Sequence, residues 1–166
     1  MNVINILEKG MTNIEVVFVF TNYGGCGVVA QAMHTVLAKL NVDVKVVLVT
    51  DNDQMCISRR SVNASIARLN ATDINDYYDK ILPNFNPRVS PDPLNHHIAV
   101  EVDGKLYDSR GKFKGVAVSD EITPATLAKL LAADCWNDHF RMSNSNIADI
   151  PAEMLLQVTN QFNETE

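Results

Sequence analysis

His97-Ile98-Ala99-Val100-Glu101-Val102-Asp103-Gly104-Lys105-Leu106-Tyr107-Asp108 reads as two strands and the turn between them. Ile98, Val100 and Val102 alternate with Ala99, Glu101 and Asp103, the period-two pattern of a strand with two unlike faces. Asp103-Gly104 suits a two-residue hairpin loop, because both loop positions require a left-handed backbone. With those residues in the loop, Val102 pairs with Lys105, Val100 with Tyr107 and Ala99 with Asp108. His97, Ala99 and Asp108 then share one side of the sheet. His97 and Asp108 become diagonal neighbours, roughly 7–8 Å apart at the backbone. His96 points the other way, with Ile98 and Val100. A one-residue bulge in the turn would reverse every one of these assignments.

The pattern extends outward on both sides. Val42 to Val49 alternates at first and then becomes wholly apolar, which predicts a strand exposed at its start and interior at its end. Ahead of it, Val28, Val29, Ala32, Met33, Val36, Leu37 and Leu40 fall at helical spacing, so a helix runs from Cys26 to about Leu40 and stops at Asn41. Residues 2–9 fit a short helix; Ile14 to Phe20 fits a strand or a buried helix turn. Residues 58–69 carry Val62, Ile66 and Leu69 at helical spacing. Residues 74–82 carry Tyr77, Tyr78, Ile81 and Leu82 behind an N-cap at Thr72 or Asp73. Arg59, Arg60 and Arg68 read as a solvated helix face. Pro83 to Pro93 is a loop that leads into His96-His97. Downstream, Gly111 and Gly115 bracket a second turn, Val116 to Val118 reads as a third strand, and Thr123-Pro124 opens a helix with Leu127, Leu130 and Leu131 inward. Trp136, His139 and Phe140 lie in a less regular stretch. Ile150 to Phe162 is a last helix, with Leu155, Leu156, Val158 and Phe162 inward. Helices around a few antiparallel strands, with no repeat and no linker, describe one α+β domain over residues 1–166.

Bulk properties narrow the function classes. The formal charge of −6 gives no positive surface for nonspecific grip on nucleic acid or on an anionic membrane, so neither is an expected partner. No apolar run is long enough to span a bilayer, and the N-terminus lacks a secretory pattern, so a cytoplasmic location is expected. Cys26, Cys56 and Cys135 are far apart and odd in number, which signals neither a disulfide framework nor a metal site. No cofactor and no metal are expected.

Cys26 stands in Asn22-Tyr23-Gly24-Gly25-Cys26-Gly27, where a glycine-rich turn becomes a helix. Backbone N–H groups at a helix start have no partner within the helix, and the helix dipole is positive there. Both favour a thiolate, the nucleophilic form of cysteine. The same position also suits a small buried thiol in a tight turn. A histidine held by an aspartate keeps one tautomer and better carries a positive charge. With a cysteine on its free side, the three form a relay: Cys26 as nucleophile, His97 as base and acid, Asp108 as the orienting group. The Cys26 backbone N–H would help hold the oxyanion, Asn22 or Tyr23 would supply the second donor, and Gly25 joins them as an oxyanion or substrate contact. Without the cysteine, His97 and Asp108 are a strand pair worth a few tenths of a kcal/mol to about 1 kcal/mol.

Gly24-Gly25-Cys26-Gly27 before an apolar helix, then His97-Ile98-Ala99-Val100-Glu101-Val102, then Tyr107-Asp108-Ser109, resembles the papain-like cysteine peptidase superfamily, and within it the transglutaminase-like branch. The resemblance covers roughly residues 20–111. It implies a papain-like fold, with the cysteine helix packed on a small antiparallel sheet, and a Cys26–His97–Asp108 triad. The implied activity is hydrolysis of an amide bond, peptide or isopeptide, in a protein or peptide substrate through a thioester. Transglutamination, deamidation and acyl transfer share that intermediate, and a non-catalytic member would sequester a partner protein. Papain-type peptidases place a glutamine a few residues before the cysteine; none stands there in this chain.

Overall fold

The computed structural model describes residues 3–11, 25–52, 57–85, 97–114, 118–133 and 150–163. Among the described residues, six helices accompany a five-stranded antiparallel sheet. The helices are α1 (Val3–Lys9), α2 (Cys26–Lys39), α3 (Arg59–Arg68), α4 (Ile74–Ile81), α5 (Pro124–Ala133) and α6 (Ile150–Asn163), and a single 3-10 turn at Leu82–Asn84 follows α4. The strands are β1 (Lys45–Thr50), β2 (His97–Val102), β3 (Lys105–Asp108), β4 (Gly111–Lys112) and β5 (Val118–Glu121), and they lie in the order β4-β3-β2-β1-β5.

The β2–β3 hairpin has the register its sequence implies: Val102 faces Lys105, Glu101 faces Leu106, and Val100 faces Tyr107. Asp103 and Gly104 have φ of 50° and 70°. Both loop residues are therefore left-handed, as a type I′ turn requires. Strand β1 pairs with β2 so that Val49 faces His97 and Val47 faces Ala99. Side chains then sort by parity. Val46, Leu48, Ile98, Val100, Val102 and Tyr107 enter the main core beneath the helices, while Val47, Val49, Ala99 and Leu106 form a smaller cluster with Phe113 on the opposite face.

Helix α2 organises the main core. Nine of its fourteen residues are buried, more than one apolar stripe supplies, so the helix must be covered on several sides. It packs on β2 and against α6, with α5 over its first turn. Its end is a left-handed stop. Asn41 has φ 58°, its N–H donates to the Ala38 carbonyl, and the Val42 N–H donates to Leu37, both at 3.0 Å. Those two bonds satisfy carbonyls that a helix terminus leaves open. Side-chain caps set the starts of α3, α4 and α5. Ser58 Oγ accepts from Ser61 N–H at 3.2 Å, Asp73 Oδ1 from Asp76 N–H at 2.9 Å, and Thr123 Oγ1 from Thr126 N–H at 3.2 Å.

Several sequence expectations shift. Leu40 caps α2 and is 48% exposed rather than inward, and Leu156 is 58% exposed while Met154 takes the core position on α6. Leu40 is exposed because it stands at the end of α2, whereas on α6 the buried row is Met154, Val158 and Phe162. Strand β1 begins at Lys45 rather than Val42, and β5 begins at Val118, the last residue of the expected third strand, and runs to Glu121 against β1, while Val116 and Ala117 lie outside the described residues. A tight turn lies at Ser109-Arg110, where Gly111 pairs with Asp108 at the start of β4; Gly115, the second glycine expected to bracket a turn, lies outside the described residues. Arg60 and Arg68 are exposed as expected, whereas Arg59 is half-buried and ion-paired with Asp120. Ile14 to Phe20, most of the proline-rich loop, His96, Cys56, Cys135, Trp136, His139 and Phe140 lie outside the described residues. Among the described residues no helix is long and apolar enough to cross a membrane.

Candidate active site

Three elements converge on His97. It is the first residue of β2, Asp108 is the last residue of β3, and Cys26 is the first residue of α2. The hairpin register puts Asp108 one position from His97 on the same sheet face, the diagonal placement inferred from the turn. His97 Nε2 lies 2.9 Å from Asp108 Oδ2. A carboxylate can only accept, so the ring nitrogen is the donor. Cys26 interacts with the same ring, by hydrogen bond and by charge. With Nε2 occupied by Asp108, Nδ1 is the nitrogen left to face the sulfur. The Phe113 ring, from the residue after β4, lies 5.5 Å from the imidazole and limits its rotation.

All three groups are buried: Cys26 is 8% exposed, His97 9% and Asp108 6%. Cys26, Ile98, Ala99, Asp108 and Ser109 line one small pocket where the tip of α2 meets β2 and β3. Charges in such a place interact more strongly than in bulk solvent. Burial is the largest influence on His97 and would lower its pKa. The hydrogen bond with Asp108, the hydrogen bond with Cys26 and the charges of Cys26 and Asp108 outweigh it, and the ring is raised to about 9. Burial is also the largest influence on Asp108 and would raise it. Its bonds with His97 and Arg110 and the charge of His97 prevail, so its carboxyl stays below the usual range. The two shifts have one physical content: the protonated ring and the carboxylate stabilise each other.

The start of α2 shapes the sulfur's surroundings. Gly25 is the N-cap, in a right-handed conformation, and its carbonyl accepts from the Val29 N–H at 3.1 Å. That is the first bond of the helix, so Cys26 stands at the positive end of the dipole. Gly27 lies under Leu131 and Ile98: a Cβ there would come within 3.1 Å of Leu131 and 3.4 Å of Ile98. The small residue lets the helix tip approach β2 where His97 begins. Asn22 and Tyr23, the expected oxyanion or substrate contacts, lie outside the described residues.

Arg110 belongs to the same network and was not singled out by its sequence. Its backbone N–H donates to Asp108 Oδ1 at 2.8 Å, and its Nε and Nη2 donate to Oδ2 at 3.2 and 2.7 Å. The signal was present in the Asp-x-Arg spacing. An aspartate at the start of a tight turn accepts from the N–H two residues on, which brings that residue's side chain alongside. Among the described residues no group of three or more His, Cys, Asp or Glu side chains is placed to hold a metal ion. No family model matches the chain, and neither does any curated protein or solved structure.

Proposed function

We propose that the chain is a cysteine-dependent hydrolase of amide bonds, acting on a peptide or isopeptide through a Cys26–His97–Asp108 relay. One observation carries this reading: a buried imidazole holds Asp108 on one nitrogen and interacts with Cys26 at the tip of a helix. The coupling is reciprocal. A negative sulfur favours a proton on His97, so a proton on His97 favours the thiolate. The thiolate attacks the acyl carbon, and the positive end of α2 stabilises the charge that develops on the carbonyl oxygen. The C–N bond then breaks, the His97 proton passes to the departing amine, and a thioester remains on Cys26. Water, giving up a proton to His97, attacks the thioester, releases the carboxylic acid and restores the thiol. An amine in place of water would make the same apparatus an acyltransferase. The packing of the cysteine helix on an antiparallel sheet, with histidine and aspartate on adjacent strands, supports a papain-like fold of the transglutaminase-like branch.

A p-nitrophenyl ester offered as acyl donor tests the reading. We expect a burst of nitrophenolate, one equivalent per chain, with the acyl mass found on the peptide containing Cys26. The adduct should be absent in Cys26→Ala. Acylation spread equally over Cys56 and Cys135, or none at all, contradicts the proposal.

A further inference from the structure

We propose that Arg110 is a positioning residue for the relay: it fixes the Asp108 carboxylate in the orientation that meets His97. The proposal rests on the hydrolase reading of the site and identifies what that site requires beyond its three members. A carboxylate on a single hydrogen bond turns easily, because the terminal torsion of aspartate has a broad, shallow profile. Here both oxygens are occupied. Oδ1 accepts from the Arg110 backbone at 2.8 Å, and Oδ2 accepts from the guanidinium at 3.2 and 2.7 Å as well as from His97 at 2.9 Å. Backbone and side chain of one residue thus grip opposite ends of the group. The charged partners of Asp108 are His97 from β2 and Arg110 from its own turn, while Cys26 from α2 acts on His97. Asp108 is nearly as buried as the core around it, so the guanidinium also compensates for lost hydration.

The turn that carries Arg110 is itself clamped. The Met11 N–H donates to the Ser109 carbonyl at 2.5 Å. Gly10, with φ +76°, lies so close that a Cβ would come within 2.5 Å of the Arg110 carbonyl carbon, and one on Gly111 (φ +109°) would come within 2.6 Å of the Glu8 carbonyl oxygen. The end of α1 therefore lies directly against the Ser109-Arg110 turn, and two glycines allow the contact. Arg110 is held by backbone on one side and holds Asp108 on the other.

Arg110→Gln removes charge and fork together; Arg110→Lys keeps the charge and loses the fork. In Arg110→Gln, acylation of Cys26 should slow roughly 10- to 100-fold, the range seen when a partner that orients an active-site group is removed. The acid limb of its pH profile should move to higher pH, since Asp108 protonates more easily without the guanidinium. Arg110→Lys should return the acid limb toward wild type without restoring the full rate. The far-downfield proton resonance of His97 Nε2–H should broaden in Arg110→Gln. A rate, acid limb and resonance unchanged in Arg110→Gln overturn the proposal. So does a lowered melting temperature with the acid limb unmoved, which would mark a purely structural role. If wild-type Cys26 is not acylated, the hydrolase reading falls, and the His97 resonance still decides whether Arg110 orients Asp108.

Discussion

Asp108→Asn retains the side chain's size and an acceptor but removes its charge. With the carboxylate present, His97 is raised from 6.5 to about 9. At 1.36 kcal/mol per pH unit this corresponds to about 3 kcal/mol in favour of the protonated ring. Cys26 contributes to that figure along with Asp108, and burial works against both. In the variant, Cys26 is the remaining negative partner against burial and the amide offers only a weaker, uncharged acceptor, so the ring should titrate roughly 1–3 pH units lower. The sign follows from the direction of the shift. A raised histidine holds its proton below about pH 9 and loses it above. The leaving amine needs that proton, so wild-type activity should fall on the alkaline side near pH 9, and the Asp108→Asn limb should fall earlier. Near pH 8 the loss of turnover due to charge is bounded by the full 3 kcal/mol, at most roughly 160-fold. The assay is a titration of carbon-13-labelled histidine followed by NMR, with His97 assigned by its absence in His97→Asn, beside a pH–rate profile of p-nitroanilide turnover, whose leaving amine needs the proton. A ring that still titrates near 9 in Asp108→Asn would refute the reasoning, because the carboxylate would then not be what holds the proton.

Three further perturbations probe neighbouring links. His97→Ala should slow alkylation of Cys26 at pH 6 by about 100-fold, since an ordinary thiol is almost wholly protonated there; mass spectrometry of the Cys26 peptide reads it. Gly10→Ala should cost more than about 1 kcal/mol in urea unfolding, because its positive φ and the close Arg110 backbone both resist a side chain, and it should slow Cys26 acylation in step with Arg110→Gln. Leu48→Ala, in the strand between β2 and β5 and fully buried, should cost about 2–5 kcal/mol by the same measurement.

The strands were legible where one face is apolar and the other is not. Alternation through Val102 and the Asp103-Gly104 pair set the hairpin register, and register alone put His97 rather than His96 beside Asp108. Helix α2 was legible from its spacing and from Asn41, whose left-handed backbone ends it. Short elements were not. Strand β4 has two residues and owes its place to Gly111 meeting Glu8 and Gly10, contacts more than a hundred residues apart in the chain. Arg110 was missed for a different reason: the Asp-x-Arg spacing was there, but charge and periodicity do not report a turn in which an aspartate accepts from the N–H two residues on. On α6, Val158 and Phe162 are inward as their spacing predicts, but the row at every fourth residue continues to Met154, so Leu156, equally apolar, is left on the outer side.

The rate at which iodoacetamide alkylates Cys26 at pH 6, compared with Cys56 and Cys135 in the same chain, tests the central claim most directly. A sulfur paired with a protonated His97 should react about 100-fold faster than the other two. Equal rates for all three would mean that no thiolate–imidazolium pair exists, and the relay would have to be abandoned.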